Sequence, residues 1–122
     1  MKKAYIELEK ELHQIFIEFG MNPDGRRDHA CLKDAVLMAV LHPGIWQNEY
    51  LEILAKSINM TRERVRQMLY KAAWDNWNAN AINSLGKHFT PPIQTHFEYV
   101  KPNHIEFISL ISEKLSEKYQ IV

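Results

Sequence analysis

The sequence has one cysteine and four glycines, and the glycines are scattered rather than grouped. A lone thiol, Cys31, cannot form a disulfide within the chain, and scattered glycines cannot build a phosphate-cradling loop. The six histidines and Cys31 lack paired Cys-x-x-Cys units and His-x-x-x-His spacing, so we expect no metal site. No serine stands in an evident pairing with a histidine and an acid. We therefore expect neither a cofactor nor an enzyme.

Long apolar runs are also absent, since none approaches the roughly 20 residues that span a bilayer. The first four residues do not lead into a signal-peptide core, because Glu7, Glu9 and Glu11 interrupt it. The 15 basic residues are balanced by 15 acidic ones, which leaves room for a local basic patch but not for a general nucleic-acid coat. These absences predict a cytoplasmic protein with no membrane partner and no small-molecule substrate.

The patterns that are present are helical. A length of 122 residues with 46% hydrophobic side chains predicts one compact domain over residues 1–122. Apolar spacing predicts an all-α fold of five or six helices, at residues 3–19, 28–41, 48–58, 62–77, 79–85 and 103–119. Asn103, followed three residues later by Glu106, predicts the cap of the last helix. A short strand pair at residues 94–100 stays open as an alternative.

Two apolar stripes and three tryptophans are the predicted anchors of the core. The stripe of the first helix is Tyr5, Leu8, Leu12, Ile15, Phe16 and Phe19, and that of the last is Ile105, Ile108, Ile111, Leu115 and Tyr119. We interpret Trp46, Trp74 and Trp77 as core or interface anchors rather than as a platform on which bases stack.

The most informative segment is residues 59–71, where three of the five arginines stand within five positions, directly behind Thr61. With residues 48–58 before it, this segment predicts a helix, a three-residue break and a second helix. That order is typical of a helix-turn-helix, here spanning residues 48–77 with 62–77 as the reading helix. The predicted buried face of the second helix is Val65, Met68, Leu69 and Ala72.

The other face of that helix has side chains suited to a DNA duplex. Arginine can bind guanine bidentately, glutamine matches adenine, and glutamate accepts from the cytosine amino group. Lysine, tyrosine and threonine are better suited to phosphates. The predicted DNA-binding residues are Lys56, Thr61, Arg62, Glu63, Arg64, Arg66, Gln67, Tyr70 and Lys71. The alternative is an ordinary solvated helix with alternating charge.

Several blocks of sequence occur in an order and spacing that resemble those of a known protein family. They are residues 32–38, Leu54-Ala55-Lys56, Asn59, Thr61, Arg64-Val65, Ala72, Trp77, Lys101-Pro102-Asn103 and Glu106-Phe107-Ile108. Over roughly residues 10–118 the chain resembles the C-terminal DNA-binding effector domain of the sporulation master response regulators, the stage zero sporulation protein A family. The resemblance implies an all-helical transcription regulator that binds short DNA boxes, as a monomer or as tandem copies. It also implies that Arg64, Arg66 and Gln67 face the bases.

The sequence departs from this family at the predicted readers. An acidic residue and an arginine stand in the family where this chain has Arg66 and Gln67, and a histidine stands where it has Lys71. Replacing glutamate by arginine reverses the preference at a base edge from donors to acceptors, so we expect a different DNA box. The family also has a receiver domain before the effector domain. If these 122 residues are the natural protein, we expect control by expression level, dimerisation or a partner protein.

Residues 61–67 are also similar to the reading helix of region 4 in primary bacterial sigma factors. In that family the side chains matching Arg62, Glu63, Arg66 and Gln67 are directed at DNA. Three hypotheses follow for the function. The first is a sequence-specific DNA-binding regulator. The second is a protein-interaction module of the same fold that modulates a full-length regulator, RNA polymerase or a sigma factor, and the third is a small enzyme with an unassigned acid or histidine.

Overall fold

The structure, a computed structural model, describes residues 2–89, 97 and 100–121. In this part of the chain six helices follow one another: α1 Lys2–Glu18, α2 Arg27–Leu41, α3 Gln47–Ile58, α4 Arg62–Asp75, α5 Ala79–His88 and α6 His104–Lys118. The predicted all-α class is confirmed. The strand alternative at residues 94–100 lies outside the described residues, apart from Phe97 and Val100.

The six helices share one core, with α2 in its middle. This helix packs most extensively against α6 and α4, and also against α1 and α3. Four rings, those of Phe16, Phe19, Trp77 and Phe107, meet edge to face with centroids 5.8–6.1 Å apart. Edge-to-face contacts of this kind stabilise a core beyond the area that they bury. The single compact domain predicted from length and composition therefore has a continuous apolar centre.

A polar network fastens α5 to α1 beside this core. The ring of His88 lies between two carboxylates, with Nδ1 2.8 Å from Glu11 Oε2 and Nε2 3.0 Å from Glu18 Oε1. The hydroxyl of Ser84 donates to Glu18 at 2.6 Å, and that of Tyr119 donates to Glu11 at 2.7 Å. Burial raises the pKa of both glutamates, but hydrogen bonds outweigh it and leave both pKa values below the usual range; the strongest of these are from Lys118 to Glu11 and from Ser84 to Glu18.

The predicted end of α4 is wrong by two residues. The helix ends at Asp75, because the side-chain amide of Asn76 donates to the carbonyl oxygen of Ala72 at 2.8 Å and caps the last turn. Trp77 therefore lies beyond the helix and turns into the core, where its Nε1 donates to Phe97 O at 2.8 Å. In the other direction, α5 extends three residues beyond its predicted end at residue 85.

Some residues of the predicted anchors and stripes are exposed. Trp46 is 75% exposed and Trp74 40%, so of the three tryptophans predicted as core or interface anchors only Trp77 is a core residue. Tyr5 lies one turn before Leu8, the first buried side chain of α1 among those described, and stays in solvent. Ile105 lies at the margin of the apolar stripe of α6, whose centre is occupied by Phe107 and other buried residues. Among the described helices, none is both long and apolar enough to cross a membrane.

Candidate nucleic-acid interface

The turn between α3 and α4 has the local chemistry that its sequence predicts. Asn59 follows α3 with φ 55° and ψ 52°, a left-handed conformation that asparagine tolerates better than most residues. The backbone N–H of Met60 then donates to Ala55 O at 3.0 Å. Thr61 accepts a hydrogen bond from the backbone N–H of Arg64 on its Oγ1, at 3.1 Å. The predicted helix, three-residue break and second helix are therefore present, and Thr61 is the N-cap.

The helix α4 has one buried and one exposed side. Val65, Leu69, Ala72 and Ala73 are buried against the core, and Met68 is partly buried. Eight of the nine predicted DNA-binding residues are exposed, and the ninth, Arg66, is half-buried. The exposed eight are Lys56, Thr61, Arg62, Glu63, Arg64, Gln67, Tyr70 and Lys71. Their side chains are accessible to a macromolecule without any change in the core.

Arg66 and Glu63 form an ion pair across one turn of this exposed side. The Nε of Arg66 donates to Glu63 Oε2 at 3.0 Å, and Nη2 donates to Oε1. The Arg66 hydrogen bond holds the pKa of the Glu63 carboxyl below its usual range, and the same bond raises the pKa of Arg66. Both groups are therefore charged at neutral pH. The donors of Arg66 and the acceptors of Glu63 that could contact another molecule are bound to each other.

Two more of the predicted cations are paired with carboxylates on their own helices. Lys71 Nζ lies 2.9 Å from Asp75 Oδ2, and Lys56 Nζ lies 3.5 Å from Glu52 Oε1. Exposed helical pairs of this kind contribute about 0.3–0.5 kcal/mol, and salt screens them. A phosphate oxygen can therefore replace the carboxylate at little cost. Arg62 and Arg64 are different, since no described residue forms an ion pair or hydrogen bond with either side chain.

An aromatic stack that was not predicted from the sequence extends the exposed side of α4 toward α6. The rings of Tyr70 and Trp74 lie parallel, with centroids 5.9 Å apart and planes 10° apart. Lys101 places its Nζ 5.1 Å from the centre of the Trp74 ring and donates to Trp74 O at 3.2 Å. Helical spacing could have identified Trp74, because Gln67, Lys71 and Trp74 stand at positions i, i+4 and i+7. Lys101 arrives from 27 residues away, which no local pattern indicates.

A second cation that was not predicted from the sequence, Arg27, lies beside the turn between α3 and α4. Its Nη1 is 3.8 Å from the sulfur of Met60, the residue before Thr61. Arg26, in contrast, is paired with Asp28 at 3.2 Å. Arg27 belongs to the first turn of α2, so it adds a charge from a third helix next to the N-terminus of α4. The basic surface is therefore wider than the segment from which it was predicted.

His104 lies beneath this surface and contacts it through Tyr70. It is buried, its Nε2 lies 2.8 Å from Gln47 Oε1, and its ring meets the Tyr70 ring edge to face at 6.3 Å. Burial lowers the pKa of His104, and the charge of Arg66 lowers it further. The ring is therefore neutral at pH 7, with Nε2–H donating to Gln47 and with no described partner for Nδ1. His104 joins the start of α6 to α3 and α4.

The side chains of this surface can bind anions and base edges. Cations, an amide and an aromatic stack are exposed together, and in the described part of the chain no three His, Cys, Asp or Glu residues are grouped so that they could hold a metal ion. The resemblances to sporulation regulators and sigma factors stay predictions. No model of a known protein family matches the chain, and no solved structure matches it.

Proposed function

We propose that this protein is a sequence-specific DNA-binding transcription regulator that inserts α4 into the major groove. The observation that carries the proposal is the exposed side of α4, where Arg62 and Arg64, two arginines without an ion pair to any described residue, follow the N-cap Thr61 on a helix anchored by its opposite side. An α-helix fits the major groove of B-DNA, and its N-terminal residues are the ones that reach the base edges in helix-turn-helix proteins. On this proposal the protein acts in the cytoplasm and is not an enzyme.

The side chains divide into base readers and phosphate contacts. Arg64, Arg66 and Gln67 are the proposed readers, because they lie in the first two turns of α4 and have donors in the geometry that guanine and adenine accept. Phosphates are the proposed partners of Lys56, Thr61, Arg62, Tyr70 and Lys71, and we add Arg27 and Lys101 to this group. The N-terminus of α4 contributes a partial positive charge in the same region.

The pair of Arg66 and Glu63 suggests which base pair is read. Guanine offers two acceptors, O6 and N7, and the cytosine paired with it offers the N4 amino donor. Arg66 matches the first and Glu63 the second, so a G·C pair can satisfy both side chains when their mutual bond opens. We propose a G·C preference at the position beneath this pair, and a box different from that of the sporulation regulators. Binding as tandem copies on adjacent boxes belongs to the same proposal.

Selection of preferred duplexes from a random pool tests the proposal. We expect enrichment of one short box, with a G·C pair whose preference weakens in the Arg66→Ala protein. Lys87→Ala is the matched control, since it removes an exposed cation from α5 and should leave the selected box unchanged. If no box is enriched and no duplex binds at low salt, the proposal is wrong, and the protein-interaction hypothesis takes its place.

A further inference from the structure

A groove of about 810 Å³ lies between the segment that precedes α3 and the outer side of α6. Its apolar walls are formed by Ile45, Trp46, Tyr50, Ile105, Ile108 and Ile121. Trp46 is 75% exposed and Ile105 42% exposed, so a large apolar area at the mouth is open to solvent. Contiguous exposed apolar patches of this kind mark sites where other molecules bind.

Trp46 also lines a second hollow, of about 460 Å³. Here the apolar neighbour is Ile53, which is 51% exposed. Trp46 therefore lines both hollows, and a ligand in either one can contact it. A tryptophan that becomes buried when a partner binds is among the side chains that contribute most to protein interfaces.

The backbone around Trp46 is held in place before any partner binds. Gly44 adopts φ 91°, which lets the chain turn after α2, and the N–H of Ile45 donates to His42 O at 3.0 Å. The N–H of Glu49 then donates to Trp46 O at 3.0 Å, and the Glu49 carboxylate accepts from Trp46 N at 3.3 Å. A wall fixed in this way loses little conformational entropy on binding.

The charge of the groove is opposite to that of α4. Glu113 and Glu117 line the larger hollow and Glu49 the smaller one, and no lysine or arginine is among the described residues that line either. All three glutamates are exposed, and the pair that Glu117 forms with Lys114 Nζ at 3.6 Å is one that a partner's cation can replace. Because like charges repel, this surface disfavours phosphates and favours a cationic partner.

We propose that this groove binds an amphipathic helix of a partner protein, with its apolar stripe against Trp46 and its lysines or arginines beside Glu49, Glu113 and Glu117. A helix in an apolar groove is a recurrent form of recognition, and the acidic rim selects its charge. The chain's own basic helix, α4, does not fit this description, because its apolar side is buried in the core. The proposed site differs from the DNA surface and stands whether or not α4 binds DNA.

The groove and the basic surface are nevertheless close. Gln47, the residue after Trp46, accepts a hydrogen bond from His104, and the ring of His104 contacts Tyr70 on α4. Ile105 of the groove follows His104 directly. A partner in the groove would therefore lie beside a duplex bound by α4, which fits a second protein that meets this one on DNA.

Two helical peptides of about four turns test the proposal. They share one leucine and phenylalanine stripe, and their polar sides carry either lysine and arginine or glutamate. Fluorescence anisotropy of labelled peptides should show saturable binding of the cationic peptide, weakening as salt rises, and binding of the acidic peptide at least about tenfold weaker. Equal affinity for the two peptides, or no binding of the cationic one, overturns the proposal.

Variants of the protein locate the binding. Trp46→Ala and the double change Glu113→Lys with Glu117→Lys should each weaken the cationic peptide about tenfold or more, and the double change should strengthen the acidic one. Ile17→Ala and Glu7→Lys are the controls, since they alter exposed residues of α1. Circular dichroism verifies that each variant is folded. Two results would contradict the proposal. A concentration-dependent dimer that Trp46→Ala abolishes would identify a second copy of the chain as the occupant. A full loss of peptide binding in either control would place the binding elsewhere.

Discussion

Arg66 binds Glu63 across one turn of α4, with Nε donating to Oε2 at 3.0 Å, on the side of the helix that faces away from the core. A proposed base reader is thus held by an acidic neighbour when DNA is absent. Binding exchanges this bond for contacts to bases, so Glu63 affects both the strength and the selectivity of the proposed interaction.

Glu63→Gln should therefore separate affinity from specificity. The change removes a negative charge next to the duplex and weakens the bond that holds Arg66, so we expect tighter binding to random DNA. It also replaces the charged acceptor for the cytosine amino group by a neutral amide oxygen, which accepts more weakly, so the preference for the G·C pair should decrease. Dissociation constants for the selected box, a box with that pair changed and random DNA measure both effects. Glu113→Gln, in the groove, is the control. Weaker binding to every duplex would show that Glu63 holds Arg66 in a productive position instead.

Arg64→Ala should have a larger effect on the selected box than Lys71→Ala. Arg64 is exposed, and its side chain forms no ion pair or hydrogen bond with a described residue, so it can bind DNA without first breaking an intramolecular pair. If it binds guanine bidentately, we expect a loss of about 10- to 100-fold that disappears when the contacted base pair is changed. Lys71 is paired with Asp75, and its removal should weaken all duplexes alike. An equal loss on every sequence would make Arg64 a phosphate contact.

Thr61→Ala should destabilise the protein even without DNA. The Thr61 hydroxyl oxygen accepts from the Arg64 N–H, and replacing an N-cap threonine by alanine costs about 1 kcal/mol. Urea unfolding followed by circular dichroism measures the loss, and Thr61→Ser, which keeps the acceptor, should recover most of it. If the alanine and serine variants have the same free energy of unfolding, the cap does not stabilise α4.

The stability of the protein should fall as the pH drops below about 6.5. Burial lowers the pKa values of His104 and His29 in the folded protein, so the unfolded chain binds protons more readily. Their contribution is complete above the unfolded value of 6.5 and is lost as the pH falls through the lower folded values. His104→Gln, whose amide can still donate to Gln47, should reduce this loss, whereas the exposed His42→Gln should leave it unchanged. The free energy of unfolding, measured between pH 7 and 5, tests this prediction. If its slope against pH is the same in His104→Gln as in the unaltered protein, the prediction is wrong.

Features set by neighbours along the chain could be predicted from the sequence. Thr61 and Asn103 are N-caps in the structure, and Asn103 forms the predicted capping box with Glu106. Both depend on side chains and backbone groups three residues apart. The same holds for the buried side of α4, which follows from helical period alone.

Features set by distant partners could not be predicted. Arg27 meets Met60 across 33 positions, and Lys101 meets Trp74 across 27. The exposure of Trp46 is a further example, because hydrophobicity favours burial but does not say whether another helix covers the ring. The predicted end of α4 was wrong for a local reason. Trp77 continues the apolar pattern of the helix, but the side-chain amide of Asn76, one residue earlier, caps the last turn.

The central claim, specific DNA binding through α4, is tested most directly by a salt titration of binding to the selected box and to random duplexes. We expect the selected box to bind on the order of a thousandfold or more tighter. The logarithm of both affinities should fall linearly with the logarithm of salt concentration, and Arg62→Ala should make that slope shallower by about one unit. Equal affinity for selected and random DNA, or no binding to either at low salt, would contradict the claim.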